Sequence, residues 1–152
     1  NIFYFLLSGQ LIVYPDGKKS KKAVNFLSAG QPLGLLALLT GQPRNATLVV
    51  DPKGGRCQLI GTDFTPFGAL TDYSNVHLGA KLALWRMVAN NTRWKLNVYK
   101  MQNPEHPLAA ELAKIEAFTG EKGSEEELLS LDRQVRALTD LMSSWNAALA
   151  RG

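Results

Sequence analysis

The chain predicts an α+β fold, an antiparallel β-barrel followed by helices, and two observations carry that expectation. From Ile2 to Thr62, short β-branched and aromatic runs (IFYFLL, QLIVY, AVNFL, ATLVV and CQLIG) alternate with Gly, Pro and Asp turns, the spacing of an antiparallel barrel or sandwich. Beyond Asp63 the apolar period lengthens to that of helices and stays there to the last residues.

Taken in order, the first two runs flank a Ser-Gly turn at Ser8 and Gly9. PDGKKSKK, from Pro15 to Lys22, reads as an exposed hairpin tip whose four lysines suit a solvated loop, an acidic partner or a weak nucleic-acid patch, the solvated loop being the simplest. Leu33 to Val50, LGLLALLTGQPRNATLVV, is the stretch around which the rest is arranged. Gly34 permits a tight turn into a helical run too apolar to lie on a surface. The free N–H groups at such a helix start favour an anion, and Arg44 adds a planar charge suited to phosphate or carboxylate. DPKGG, Asp51 to Gly55, is the next turn, its Asp and Pro setting the start and its glycines permitting positive φ.

The helical part begins with DFTPFGAL, Asp63 to Leu70, as one short turn. A longer helix is predicted from about Asn75 to Lys100, with Leu78, Leu82, Trp85 and Ala89 as its buried stripe. Lys81, Arg86, Arg93, Lys95 and Lys100 alternate with Trp85 and Trp94 along it; a solvated basic face over buried tryptophans outranks a nucleic-acid surface, because no recognition motif accompanies them. QNPEHP ends this helix, and Pro107 opens another carrying Leu108, Leu112, Ile115 and Phe118. After TGEKGS, Ser124 and Glu127 form a capping box for the last helix. There Leu128, Leu131, Val135, Leu138, Met142, Trp145 and Leu149 recur at threes and fours, a coiled-coil seam. Two readings stay open: a helical hairpin packed on Leu108, Leu112 and Ile115, or docking on another chain or a second copy.

Composition bounds the function. With 152 residues, 45% of them apolar and 20% charged, the chain is long enough to bury a core and is not a disordered tail. No apolar run reaches the roughly 18 residues of a membrane span, and no signal-peptide pattern opens the chain, so a soluble protein is expected. The lone Cys57 excludes an internal disulfide, fits a buried thiol and suits a reducing compartment. His77 and His106 lie in no cluster with metal-ligand spacing. Without a nucleophile elbow, a phosphate-cradling lysine loop or an identifiable carboxylate pair, the chain is predicted not to be an enzyme. Its net charge of +4 hides a dipolar molecule, since most carboxylates follow Pro104.

Leu33, Gly34, Leu36, Ala37, Leu38, Pro43, Arg44 and Ala46 together resemble the phosphate-binding cassette of the cyclic-nucleotide-binding domain family, F-G-E-L-A-L, a short loop, then P-R-x-A and a strand. FYFLLSGQLIVY is similar to the strand, Ser-Gly turn and strand ahead of it. The resemblance covers residues 1 to about 100 and implies a domain of this type over 1–103, a jelly-roll-like barrel with the helices that follow it, and further structure ahead of Asn1; residues 104–152, which the resemblance does not reach, read as a helical appendage. It also implies that the long helix covers a ligand or forms a dimer contact. A cyclic nucleotide or another small anion is the candidate ligand, held by Gly34, Leu35, Leu36, Arg44, Asn45 and Ala46. Leu35 stands where the family has a glutamate that accepts a bond from the ribose 2′-hydroxyl, and an aliphatic chain cannot accept it; the unpaired hydroxyl costs about 1–3 kcal/mol. Asn45 departs from the usual small residue but can still donate to an anion.

Two functions are therefore expected. The first is a structural or protein-interaction module with nucleotide binding weakened or lost; the second is a regulatory domain sensing an anion through Gly34 and Arg44. A transcription regulator ranks below both, because the last helix is too long and heptad-patterned for a recognition helix.

Overall fold

The computed structural model describes residues 1–15, 23–44 and 46–151. The lysine-rich tip and Asn45 fall outside these. The chain divides into two compact units, residues 1–64 with 146–152, and residues 65–145.

Among its described residues the first unit holds six strands: β1 (Ile2–Ser8), β2 (Gln10–Pro15), β3 (Asn25–Ser28), β4 (Pro32–Leu33), β5 (Ala46–Val50) and β6 (Gln58–Asp63). They form two antiparallel three-stranded sheets, ordered β4-β1-β6 and β3-β2-β5. In the first, Tyr4 pairs with both Leu33 and Gly61; in the second, Leu11 pairs with both Leu27 and Val50. Gly9 carries the chain from the first sheet to the second at φ 84°, and a Cβ there would lie 2.6 Å from the Cys57 sulfur, so both backbone and space require glycine. Leu6 and Leu33 from one sheet meet Leu11 and Leu27 from the other, with Val13 and Cys57 packed at the margin. The Cys57 thiol donates to the Gln10 carbonyl at 3.3 Å.

The expected jelly-roll barrel does not close. Closure needs the outer strands of each sheet to pair with one another, whereas no ladder joins the two sheets among the described residues. The outer strands β5 and β6 consequently expose consecutive apolar residues, Leu48 to Val50 and Leu59 with Ile60, on both of their faces. The fold class is thus α+β with two open sheets.

In the second unit, a 3-10 turn at Thr65–Phe67 leads to α2 (Leu78–Gln102), a 3-10 segment at Pro107–Lys114, and α3 (Glu125–Arg151), whose last residues belong to the first unit; α1 (Leu35–Thr40) lies in the first unit. Lys81 is fully buried near the start of α2, and its ammonium donates to the carbonyls of Phe67, Ala69 and Leu70 at 2.6, 2.7 and 3.1 Å. One side chain therefore ties down the turn that precedes the helix. Burial pushes this amine below the ordinary lysine range, while the Asp72 carboxylate pulls the other way.

The helices α2 and α3 lie side by side and parallel. Arg86 forms a bidentate pair with Glu127, at 2.8 and 2.6 Å, and two turns on Arg93 donates to Gln134 at 3.3 Å. The Trp85 indole donates to Asp132, and the Tyr99 ring lies 5.9 Å from that of Trp145. On α2 the buried stripe is Leu82, Trp85, Ala89, Thr92, Leu96 and Tyr99, which repeats the three-four spacing of the stripe on α3. The expected hairpin is replaced by this parallel pair. Residues 107–114 form a 3-10 segment instead of an α-helix, capped by His106, whose Nδ1 accepts from the Leu108 N–H at 3.1 Å. The His106 ring stacks 4.7 Å from Trp145.

Candidate functional site

The cassette begins where β4 ends. Gly34 has φ 74° and ψ 2°, the left-handed conformation that turns the chain into α1, and no side chain caps that helix start. Gly41 ends α1 in the same conformation, its N–H returning to the Ala37 carbonyl at 2.9 Å.

Gly34 and Arg44 are brought together. A Cβ on Gly34 would lie 3.0 Å from Cζ and Nη2 of Arg44 and 3.1 Å from Nε, so the guanidinium rests on the glycine face. Its Nη2 donates to the Ile2 carbonyl. The residue is exposed, and that bond uses a single one of the guanidinium's N–H groups, which leaves donors for a phosphate or carboxylate.

The other cassette positions are placed differently. Leu35 is only 2% exposed and shares the buried face of α1 with Leu39. Leu35 is therefore part of the apolar interior. Leu36 is half-buried, Ala46 is exposed at the start of β5, and Asn45 lies outside the described residues.

On α3, Leu128, Leu131, Val135, Leu138, Met142 and Trp145 are buried and Leu149 is half-buried. From Leu128 to Trp145 the spacing fills the interior of this chain's own second unit, which leaves the expected coiled coil unsupported. The start of the helix follows the expected capping box in outline. Ser124 Oγ accepts from the Glu127 N–H at 3.2 Å, and the Glu127 carboxylate accepts from the Gly123 N–H at 2.6 Å, one residue earlier than a standard capping box. The bond to Arg86, and then that to Gly123, hold this carboxyl below the usual range despite its burial. Nearby the Tyr73 hydroxyl donates to Glu125 at 2.7 Å, which pushes the phenol up to about 12.

Along α2 the basic and aromatic residues separate. Lys81 and Trp85 are inside and Arg86 is neutralised by Glu127, whereas Trp94 is 62% exposed, against the expectation that both tryptophans are buried. Lys95 is half-buried, and burial holds its amine below the ordinary range. The exposed Met101, near the end of α2, carries no signal of its own in the sequence. Among the described residues, no group of His, Cys, Asp and Glu could hold a metal ion, and no helix is long and apolar enough to cross a membrane.

Residues 1–62 match the family model described as Cyclic nucleotide-binding domain. The match spans β1 through most of β6, so the N-terminal part of the chain is similar to domains of that family. No curated protein and no solved structure matches the chain.

Proposed function

We propose that the chain is a non-catalytic module of the cyclic-nucleotide-binding type that acts through protein contacts made by its C-terminal helices, with nucleotide binding weakened or lost. The observation that supports this most is Leu35, an aliphatic side chain turned into the interior at the position where a nucleotide binder needs a carboxylate. A bound ribose would leave a hydroxyl unpaired, at about 1–3 kcal/mol, roughly a five- to hundredfold loss of affinity. Calorimetric titration with cAMP, cGMP, small dicarboxylates and inorganic phosphate tests the reading, and no saturable heat is expected from folded protein.

A second reading is favoured by the contact between Gly34 and Arg44. That pair keeps a guanidinium beside an uncapped helix start, the parts of an anion sensor. Saturable heat that disappears in Arg44→Ala would select the sensor and identify its ligand class. Leu35→Glu adds a discriminator, because a gain of cyclic-nucleotide affinity would mean that only the carboxylate was lacking.

A further inference from the structure

We infer that the outward face of α2 docks an amphipathic helix from another polypeptide, one that carries large apolar side chains flanked by carboxylates. This deepens the interaction reading above and rests on it.

The face is defined by spacing. Met87, Trp94 and Met101 recur every seven residues, and Ala83, Asn90 and Asn97 fall between them at threes and fours, so the six form one seam on the side of α2 that α3 leaves uncovered. Met87 is half-buried and the other five are exposed, Trp94 at 62% and Met101 at 79%. A tryptophan and a methionine are costly to leave in water and common as interface anchors. Ala83 lets a second helix approach closely, and asparagine at alternate seam positions sets the register of a helix pair at some cost in stability. The seam therefore suits a reversible, register-specific contact.

Charge decides the occupant. Five cations and no carboxylate lie on α2. Lys81 is spent on backbone carbonyls and Arg86 on Glu127. Arg93 meets the neutral amide of Gln134, and no carboxylate pairs with Arg93, Lys95 or Lys100 among the described residues. Arg93 and Lys95 flank Trp94 directly, one on each side of the seam. A second copy would bring the same three uncompensated cations to the interface. A helix with acidic flanks would neutralise them while its apolar residues cover Trp94 and Met101.

Tryptophan fluorescence tests this on the full chain, because Trp85 and Trp145 are buried and Trp94 alone is open to acrylamide. The probes are two synthetic helical peptides of about three heptads with leucine and asparagine alternating at the seam, one flanked by glutamate and the other by lysine, and a single-stranded oligothymidylate. The glutamate peptide should shield Trp94 saturably, and added salt should weaken it. In Arg93→Glu with Lys100→Glu, neither of them a buried position, it should bind about tenfold or more weakly, and the lysine peptide should take its place. Shielding by the oligonucleotide alone would overturn the assignment in favour of nucleic acid. A protein that sediments as a dimer with Trp94 already shielded would overturn it in favour of a second copy. A monomer whose Trp94 stays quenchable with every probe would show that the face docks nothing of this kind. The calorimetric test reports on Gly34 and Arg44 and this one on Trp94, so the two can fail separately.

Discussion

Truncating Leu138 to alanine distinguishes a seam that stabilises its own chain from one that waits for a partner. Leu138 is 0% exposed, with Val135 equally buried one turn before it. Removing the outer carbons forfeits about 2 kcal/mol of transfer free energy, and the cavity left behind raises the cost to about 3–4 kcal/mol. The better helix propensity of alanine returns only a few tenths. Against a total stability of about 5–15 kcal/mol this is a large fraction. It should lower Tm by about 6–16 °C for a chain of this size. Urea unfolding followed by far-UV circular dichroism should show a lower midpoint with an unchanged slope. Run over a wide range of protein concentration, both proteins should give midpoints independent of concentration. A loss below about 1 kcal/mol, or a wild-type midpoint that rises with concentration, would refute the intramolecular packing.

Lys81→Met strips the donor from three carbonyls and should cost about 2–4 kcal/mol, partly offset because no ammonium need be buried; faster hydrogen exchange at the Gly68 and Asp72 amides would locate the effect. Gly34→Ala forces a Cβ into the left-handed region at about 1–2 kcal/mol, plus a clash with the Arg44 guanidinium. Denaturant unfolding of a double-mutant cycle with Arg44→Ala should recover the clash but not the backbone cost. The Glu127 carboxyl titrates below its ordinary range when folded, so its contribution is present above about pH 4.3 and is lost as pH falls through the folded value. Glu127→Gln should therefore flatten the acid limb of a stability profile. Buried Tyr99 is pushed up to about 12, so its contribution holds below about pH 10 and fades as pH rises through the folded value. Tyr99→Phe should remove that alkaline loss.

The strands and the start of α3 are legible because they depend on local pattern. The β-branched and aromatic runs QLIVY and ATLVV mark β2 and β5, and Ser124 with Glu127 marks the start of α3. Barrel closure was not legible, since it depends on which outer strands meet, and no run of residues encodes that by itself. The apolar stripe alone predicts a start near Asn75, whereas α2 begins at Leu78 with His77 as its cap, Nδ1 accepting from the Ala80 N–H at 3.2 Å. The exposure of Trp94 follows from helical spacing alone. At about 100° per residue, Trp85 and Trp94 fall on opposite sides of one helix, so burying the first exposes the second. At the cassette, Gly34 and Arg44 were found from sequence and are adjacent in space. The inward turn of Leu35 was already hinted at by its apolar neighbours.

The parallel arrangement of α2 and α3 has a consequence for synthesis. A helix pair joined by a tight turn can zip up as its second arm leaves the ribosome. Here the chain must first travel back from Asn103 to Ser124 before α3 can begin alongside the start of α2. Translation at about 5–20 residues per second makes that interval last on the order of seconds. During it Leu82, Trp85, Leu96 and Tyr99 have no covering helix. The nascent protein therefore passes through a stage in which its most apolar helix face is open, and α3 ends that exposure only once its own residues through Trp145 have been made.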